Sequence, residues 1–200
     1  PVTRHIAVIG IDGAGKTSLA QELVRDAPAA AVIKSRRRIL GNRVYRALNI
    51  QRQAEHDAAV PAEDAVAFVT ALFLDLAEDL ERLRRDASGQ ELVVWDRHSR
   101  CLSAHGLTLG LSREWLSRME NLITPPAAVI WLDTPPEIAY ARLCSRAGER
   151  SPEPLNYLQR ARSAYAKLCF DDPTVITLDG TLPRPELVER AKDVTGLGGG

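Results

Sequence analysis

Residues Gly10-Ile11-Asp12-Gly13-Ala14-Gly15-Lys16-Thr17-Ser18 constrain this chain more than any other stretch. Glycine loses the most backbone freedom on folding, so three in six residues are costly inside a strand or helix. The flanks say where they belong. The run His5–Ile11 opens with β-branched and apolar residues and reads as a buried strand. Leu19-Ala20-Gln21-Glu22-Leu23-Val24 carries apolar residues at helical spacing. The glycines therefore sit on a strand-to-helix turn. The spacing Gly10-x-x-x-x-Gly15-Lys16-Thr17 is the complete phosphate-binding P-loop. Bare N–H groups in such a loop curl round a nucleotide's phosphates, and the helix N-terminus behind them favours negative charge. Gly10, Asp12, Gly13, Ala14, Gly15, Lys16, Thr17 and Ser18 form the expected cradle for ATP. Lys16 reaches the β- and γ-phosphates, and the Thr17 hydroxyl is placed for Mg²⁺.

A phosphate cradle on a strand-to-helix turn implies an α/β protein, and the rest of the chain agrees. Strand-like runs recur at Ala30–Lys34, Glu91–Asp96, Ala127–Asp133 and Thr174–Leu178. Helical patterns lie between them: Lys16–Arg25, roughly Arg37–Gln51, Pro61–Asp86, Ser112–Leu122, Pro135–Ser145, Pro154–Phe170 and Arg184–Asp193. Such alternation predicts a parallel sheet covered by helices, with ligands at the carboxyl ends of the strands. Two hundred residues suit one domain, expected over 1–195, with a flexible tail at 196–200. The 26 basic and 26 acidic side chains balance, which argues against a nucleic-acid surface. Cys101, Cys144 and Cys169 lack metal-ligand spacing and read as reduced thiols in a cytoplasmic protein. No apolar run approaches membrane length, no signal peptide is evident, and a start at Pro1 fits removal of an initiator methionine.

Further groups are expected at the strand ends. Leu92-Val93-Val94-Trp95-Asp96-Arg97 is an apolar strand ending in an acid. In P-loop proteins such an aspartate holds Mg²⁺; Asp96 also fits the N-cap of a following helix. Arg97 then faces the same cleft. Arg142, Arg146 and Arg150 are spaced by four at a helix end and in the loop beyond it. Gly148, Pro152 and Pro154 bound that loop, so Arg146 and Arg150 fit a lid over about 146–154 that neutralises a transferring phosphoryl group. A solvated basic helix end is the other reading, and it weighs most for Arg142. The cluster Lys34-Ser35-Arg36-Arg37-Arg38 follows a strand and meets either an anionic acceptor or solvent. His56 reads as a surface residue.

Gly-Ile-Asp-Gly-Ala-Gly-Lys-Thr, Trp-Asp-Arg-His and the segment from Val129 to Leu168 together resemble the thymidylate kinase family. The resemblance runs through most of the chain. It implies a P-loop three-layer fold with a five-stranded parallel sheet, helices on both faces and an arginine-bearing lid. It also implies transfer of the γ-phosphate of Mg·ATP to a nucleoside monophosphate. On this resemblance Lys16 and Thr17 hold ATP and Mg²⁺, Asp12 contacts the acceptor's sugar and phosphate end, and Asp96 holds the metal. Arg97 grips the acceptor phosphate, Arg146 and Arg150 serve the lid, and Phe73 lies against the base, with Phe68 as the other candidate. The long apolar helix Ala65–Leu83 resembles a homodimer face; an inner helix is the alternative.

The departures fall on the acceptor side. Ser35-Arg36-Arg37-Arg38-Ile39 replaces the family's Arg-Glu-Pro-Gly-Gly, and no base-reading arginine follows the aromatic. His98, Cys101, His105 and Gly106 stand where the family has tyrosine, serine, tyrosine and a polar residue. Arg36, Phe73, Arg97, His98, Cys101 and His105, with Asp12, are the candidate acceptor residues. A site built to hydrogen-bond one group rejects partners lacking it, so these changes alter the expected acceptor. The leading expectation is a thymidylate-kinase-like enzyme acting on dTMP or a related nucleotide. A P-loop kinase of a non-nucleotide small molecule is second, and a non-catalytic nucleotide-binding regulator is third.

Overall fold

β1 (Arg4–Ile9) is buried from Ile6 to Ile9, and it stops where Gly10 turns away with φ +143°. That ends the strand two residues before the Ile11 expected from the apolar run. α1 (Lys16–Val24), β2 (Ala30–Lys34), α2 (Ile39–Ala47), α3 (Ala62–Asp86) and β3 (Leu92–Asp96) follow in order. Then come α4 (Ser99–Thr108), α5 (Arg113–Glu120), β4 (Ala128–Asp133), α6 (Pro136–Cys144), α7 (Leu155–Cys169), β5 (Val175–Asp179) and α8 (Arg184–Thr195). The structure, a computed structural model, describes residues 3–34, 39–49, 60–86, 90–146 and 153–197. The expected ends of α2, the tail from 198, His56, and the candidate site residues Arg36 and Arg150 lie outside the described residues.

Two compact units form. The first comprises Pro1–Lys34, Gly89–His98 and Pro126–Gly200; the second comprises Ser35–Ser88 and Ser99–Pro125. The first holds an all-parallel sheet in the order β2-β3-β1-β4-β5. Burial follows that order. Every residue of β3 is buried, β1 and β4 are buried along most of their length, and the edge strands β2 and β5 are only partly covered. Strands covered on both faces need continuous apolar runs rather than alternation, which is why the central three were the plainest in the sequence. Trp95 and Trp131 are the largest fully buried side chains. α1 packs on the strands and on α8, and α6 packs on α7.

The second unit is helical. α2 lies along α3, where buried Gly41 leaves room for Leu72. Asp75, itself buried on α3, accepts hydrogen bonds from the backbone N–H groups of Leu40 (3.0 Å) and Gly41 (2.8 Å). A carboxylate from the middle of one helix thus caps the N-terminus of another. α4 lacks a periodic pattern because it is covered on several sides: Ser99, Cys101, Leu102, Ser103, Ala104 and Gly106 are all buried. Ser112 caps α5 by accepting from the Trp115 N–H at 3.2 Å. Among the described residues, no helix is long and apolar enough to cross a membrane.

Candidate functional site

The P-loop occupies the turn between β1 and α1. Gly15, with φ +99°, has open space where a Cβ would point, and Gly13, with φ +85°, would drive a Cβ into the backbone of Ala139 on α6. One glycine is thus required by its dihedral angle and the other also by close approach. The loop borders a cavity of about 150 Å³. Asp12, Gly13, Gly15, Lys16, Thr17 and Ser18 line it from the loop; Asp96, Arg97 and Arg146 line it from β3 and the end of α6. Lys34 and Leu143 complete the wall. Gly10 and Ala14 shape the loop behind this surface, Ala14 through its N–H to the Ile11 carbonyl.

Charge is concentrated here. Lys16 is 5% exposed; its Nζ donates to the Ile11 carbonyl at 2.7 Å and to Asp12 Oδ1 at 3.3 Å. Arg97 also donates to Asp12 Oδ1. Burial alone would raise the Asp12 carboxyl, but the Arg97 guanidinium and the Lys16 ammonium hold it well below the usual carboxylate range. Glu153 is an exposed residue, yet its carboxyl is hydrogen-bonded with Asp12. Desolvation there and the Asp12 charge push it up to about 7. Arg97 follows β3 with φ +82°, a conformation that costs a non-glycine residue about 1–3 kcal/mol. Its N–H is fixed to the Val8 carbonyl at 3.2 Å.

Thr17 and Asp96 meet on the other side of Lys16. The Thr17 hydroxyl donates to Asp96 Oδ2 at 2.5 Å. Asp96 is 1% exposed, and its Oδ1 is buried without a hydrogen-bond partner among the described residues. Its Oδ2 is bonded to Thr17, and α4 begins only at Ser99, so Asp96 is not that helix's N-cap. A hydroxyl and a carboxylate with a spare buried oxygen are hard oxygen donors of the kind Mg²⁺ takes. No group of three or more His, Cys, Asp or Glu suited to a metal occurs among the described residues.

Other predicted residues fall elsewhere. His98 is 2% exposed, edge-on to Trp95 with ring centroids 5.4 Å apart, and burial together with the His5 charge lowers it to about 4. Trp95 in turn donates to His5 Nδ1 at 3.3 Å. In the second unit, Phe73 is 2% exposed, on a different stripe of α3 from the one α2 covers. Phe68, on the covered stripe, touches Tyr45 (centroids 5.3 Å apart) and meets His105 edge-on at 5.6 Å. Cys101 is buried on α4.

Two contacts had little or no sequence signal. Arg142, the arginine given most weight as a solvated helix end, directs Nη1 to the Gly180 carbonyl at 3.1 Å and to Gly13 of the P-loop at 3.5 Å. Arg162 on α7 makes a bidentate pair with Asp133 at the end of β4, at 2.7 and 2.9 Å. The four-residue spacing put Arg142 on one helix face with Arg146, but a solvated helix end was the weightier reading there; the Asp133 pair joins residues 29 apart and left no local trace.

The thymidylate kinase family model matches residues 8–191. A probable thymidylate kinase of Archaeoglobus fulgidus is 30% identical over 194 residues, covering 94% of this chain and 93% of the relative. A probable thymidylate kinase of Methanosarcina barkeri is 29% identical over 193 residues, covering 92% and 91%. A thymidylate kinase of Synechococcus sp. is 27% identical over 176 residues, covering 83% of each. With the P-loop cavity, the Thr17–Asp96 pair and a family match over most of its length, the chain belongs to the thymidylate kinase family and is an ATP-dependent nucleoside monophosphate kinase.

Proposed function

We propose that the protein moves the γ-phosphoryl group of Mg·ATP to the phosphate of a nucleoside monophosphate, using the cavity around the P-loop. The observation that carries this reading is the convergence of Lys16, Thr17, Asp96 and Arg97 on that cavity. Phosphoryl transfer asks a protein mainly to position groups and stabilise charge. Lys16 exchanges its contact with Asp12 for the β- and γ-phosphate oxygens. Thr17 and Asp96 would hold Mg²⁺, which when bound would neutralise phosphate charge. Arg97, on its fixed backbone, grips the acceptor phosphate, while Asp12 orients the guanidinium. An acceptor oxygen then bonds to the γ-phosphorus as the bond to the β–γ bridging oxygen breaks, leaving ADP. The acceptor phosphate is already ionised at neutral pH, so the step needs no general base. Arg146 stabilises the equatorial oxygens, with Arg150 as a second lid cation. The kinase domain takes in both units, 1–195, with the lid over about 146–154.

Acceptor choice rests on the second unit and on Arg36, Phe73, His98, Cys101 and His105. No arginine lies within two turns after Phe73, where Leu74, Leu76 and Ala77 stand, and Asp75 is committed to the α2 backbone. Imidazole at His105 is shorter than phenol and lies against Phe68. These features support an acceptor pocket roomier at the sugar and less specific for thymine than the family pattern. A ribonucleotide, or a phosphorylated non-nucleotide metabolite, is then used better than dTMP. Exposed Val66 and Leu74 on α3 support a homodimer through that helix.

The test is ATP consumption against a panel of nucleoside monophosphates and sugar-like acceptors, for the natural chain and Lys16→Ala. Acceptor-dependent turnover lost in the variant, with the fold intact, is the expected result. Unchanged turnover in Lys16→Ala refutes the kinase assignment of this cavity; a clear preference for dTMP refutes the altered acceptor.

A further inference from the structure

Lys34 ends β2 and is the register partner of Asp96, which ends β3. Register partners on neighbouring strands project from the same face, so the two side chains meet. Lys34 Nζ lies 3.5 Å from Asp96 Oδ2 and donates to Thr17 Oγ1 at 3.3 Å. One ammonium therefore touches both groups that make up the metal-binding pair. The P-loop motif does not call for it, because Lys16 already supplies the phosphate-binding lysine, on the Asp12 side.

We propose that Lys34 is an internal cation of the metal site, sharing the Thr17–Asp96 oxygens with the divalent ion and weakening its hold. This rests on the Mg·ATP reading above. A divalent ion on these oxygens stands within a few ångströms of Nζ, and two positive charges so close cannot both keep full contact with the pair. The lysine is the one that moves. Its side chain is 33% exposed on a flexible stem, whereas the Asp96 side chain is 1% exposed. Asp96 Oδ1 has no hydrogen-bond partner among the described residues, so the carboxylate keeps a second oxygen for the incoming metal. Metal binding on its own displaces the ammonium into solvent. Metal arriving with a nucleotide gives the ammonium phosphate oxygens to turn to. Lys34 thus favours entry of the metal together with nucleotide phosphate.

The experiment is a Mn²⁺ titration followed by electron paramagnetic resonance, without nucleotide and with ADP, on the natural protein, Lys34→Met, Lys34→Gln and Lys34→Arg. Circular dichroism and the thermal midpoint select the folded variants. Losing a charge-assisted contact that is one-third exposed tightens metal binding by about tenfold. Lys34→Met and Lys34→Gln are expected to show that gain without nucleotide and little or none with ADP, and Lys34→Arg to stay near the natural protein in both. Equal or weaker nucleotide-free Mn²⁺ binding in both uncharged variants, or the same gain with and without ADP, overturns the proposal while leaving the kinase reading in place. If the natural protein binds no Mn²⁺·ADP at all, the Mg·ATP reading falls, and this inference with it.

Discussion

The imidazole of His98 follows directly on Asp96 and Arg97, yet it is 2% exposed and lowered to about 4 from 6.5 by burial and by the His5 charge. The native protein therefore keeps it neutral at pH 7, so it cannot serve as a cationic partner for an acceptor phosphate. As pH falls below about 6.5, the unfolded chain takes up a proton there and the native state does not. Stability consequently drops through the window from about 6.5 to about 4 and levels off below it. For these two values the linkage relation gives a loss from this residue of about 1.3 kcal/mol between pH 7.5 and 5.5, and about 2.5 kcal/mol by pH 4.5. Other groups titrate as well. Glu153, pushed up to about 7, works in the opposite sense, and Asp12 loses its contribution only at lower pH. Comparison with His98→Gln removes both, since they are common to the two proteins. Urea unfolding at the three pH values, with the m-value checked for constancy, is the assay. The natural protein is expected to lose about 1.3 kcal/mol more than the variant between pH 7.5 and 5.5. Parallel pH dependence in the two proteins refutes a buried, neutral His98.

Two further outcomes are expected. Arg97→Ala raises the acceptor KM by about tenfold or more through loss of a charge-assisted contact, with the ATP KM within about twofold, in initial-rate kinetics with each substrate varied. An effect mainly on ATP shows that the two sides have been exchanged. Asp75→Ala destabilises by about 2 kcal/mol, because two helix N-terminal donors lose a carboxylate, and Asp75→Asn costs about half as much since the amide oxygen still accepts; denaturant midpoints of the two variants check this, and equal costs exclude a capping role.

The P-loop was legible because it is local: the strand, the glycines, Lys16 and Thr17 are neighbours in sequence, and the backbone alone dictates their order. β1, β3 and β4 were legible because central parallel strands are apolar throughout. α4 carried no such signal, since buried residues surround it on several sides and leave no stripe. Contacts between distant residues were harder still. Lys34 was visible only as part of a basic run, and its meeting with Asp96 follows from strand order and register. The cap from Asp75 to Leu40 joins residues 35 apart, and nothing in ALFLDLAEDL distinguishes this acid from its neighbours. The resemblance favours Phe73 over Phe68 as the aromatic candidate, and the sequence holds no sign that α2 covers the Phe68 stripe of α3 and not that of Phe73.

The left-handed backbone at Arg97 bears on how this protein responds to selection. Glycine or asparagine adopts that conformation with less strain than arginine, by of order 1 kcal/mol. A library randomised at position 97 and sorted for heat resistance alone should therefore drift away from arginine, towards folded proteins poor in phosphoryl transfer. Sorting the same library for turnover should restore arginine despite its conformational penalty. With Arg97 gripping the acceptor phosphate as proposed, thermal and catalytic fitness pull in opposite directions at this one residue, so a stabilising campaign on this scaffold should leave position 97 fixed and seek its gains elsewhere.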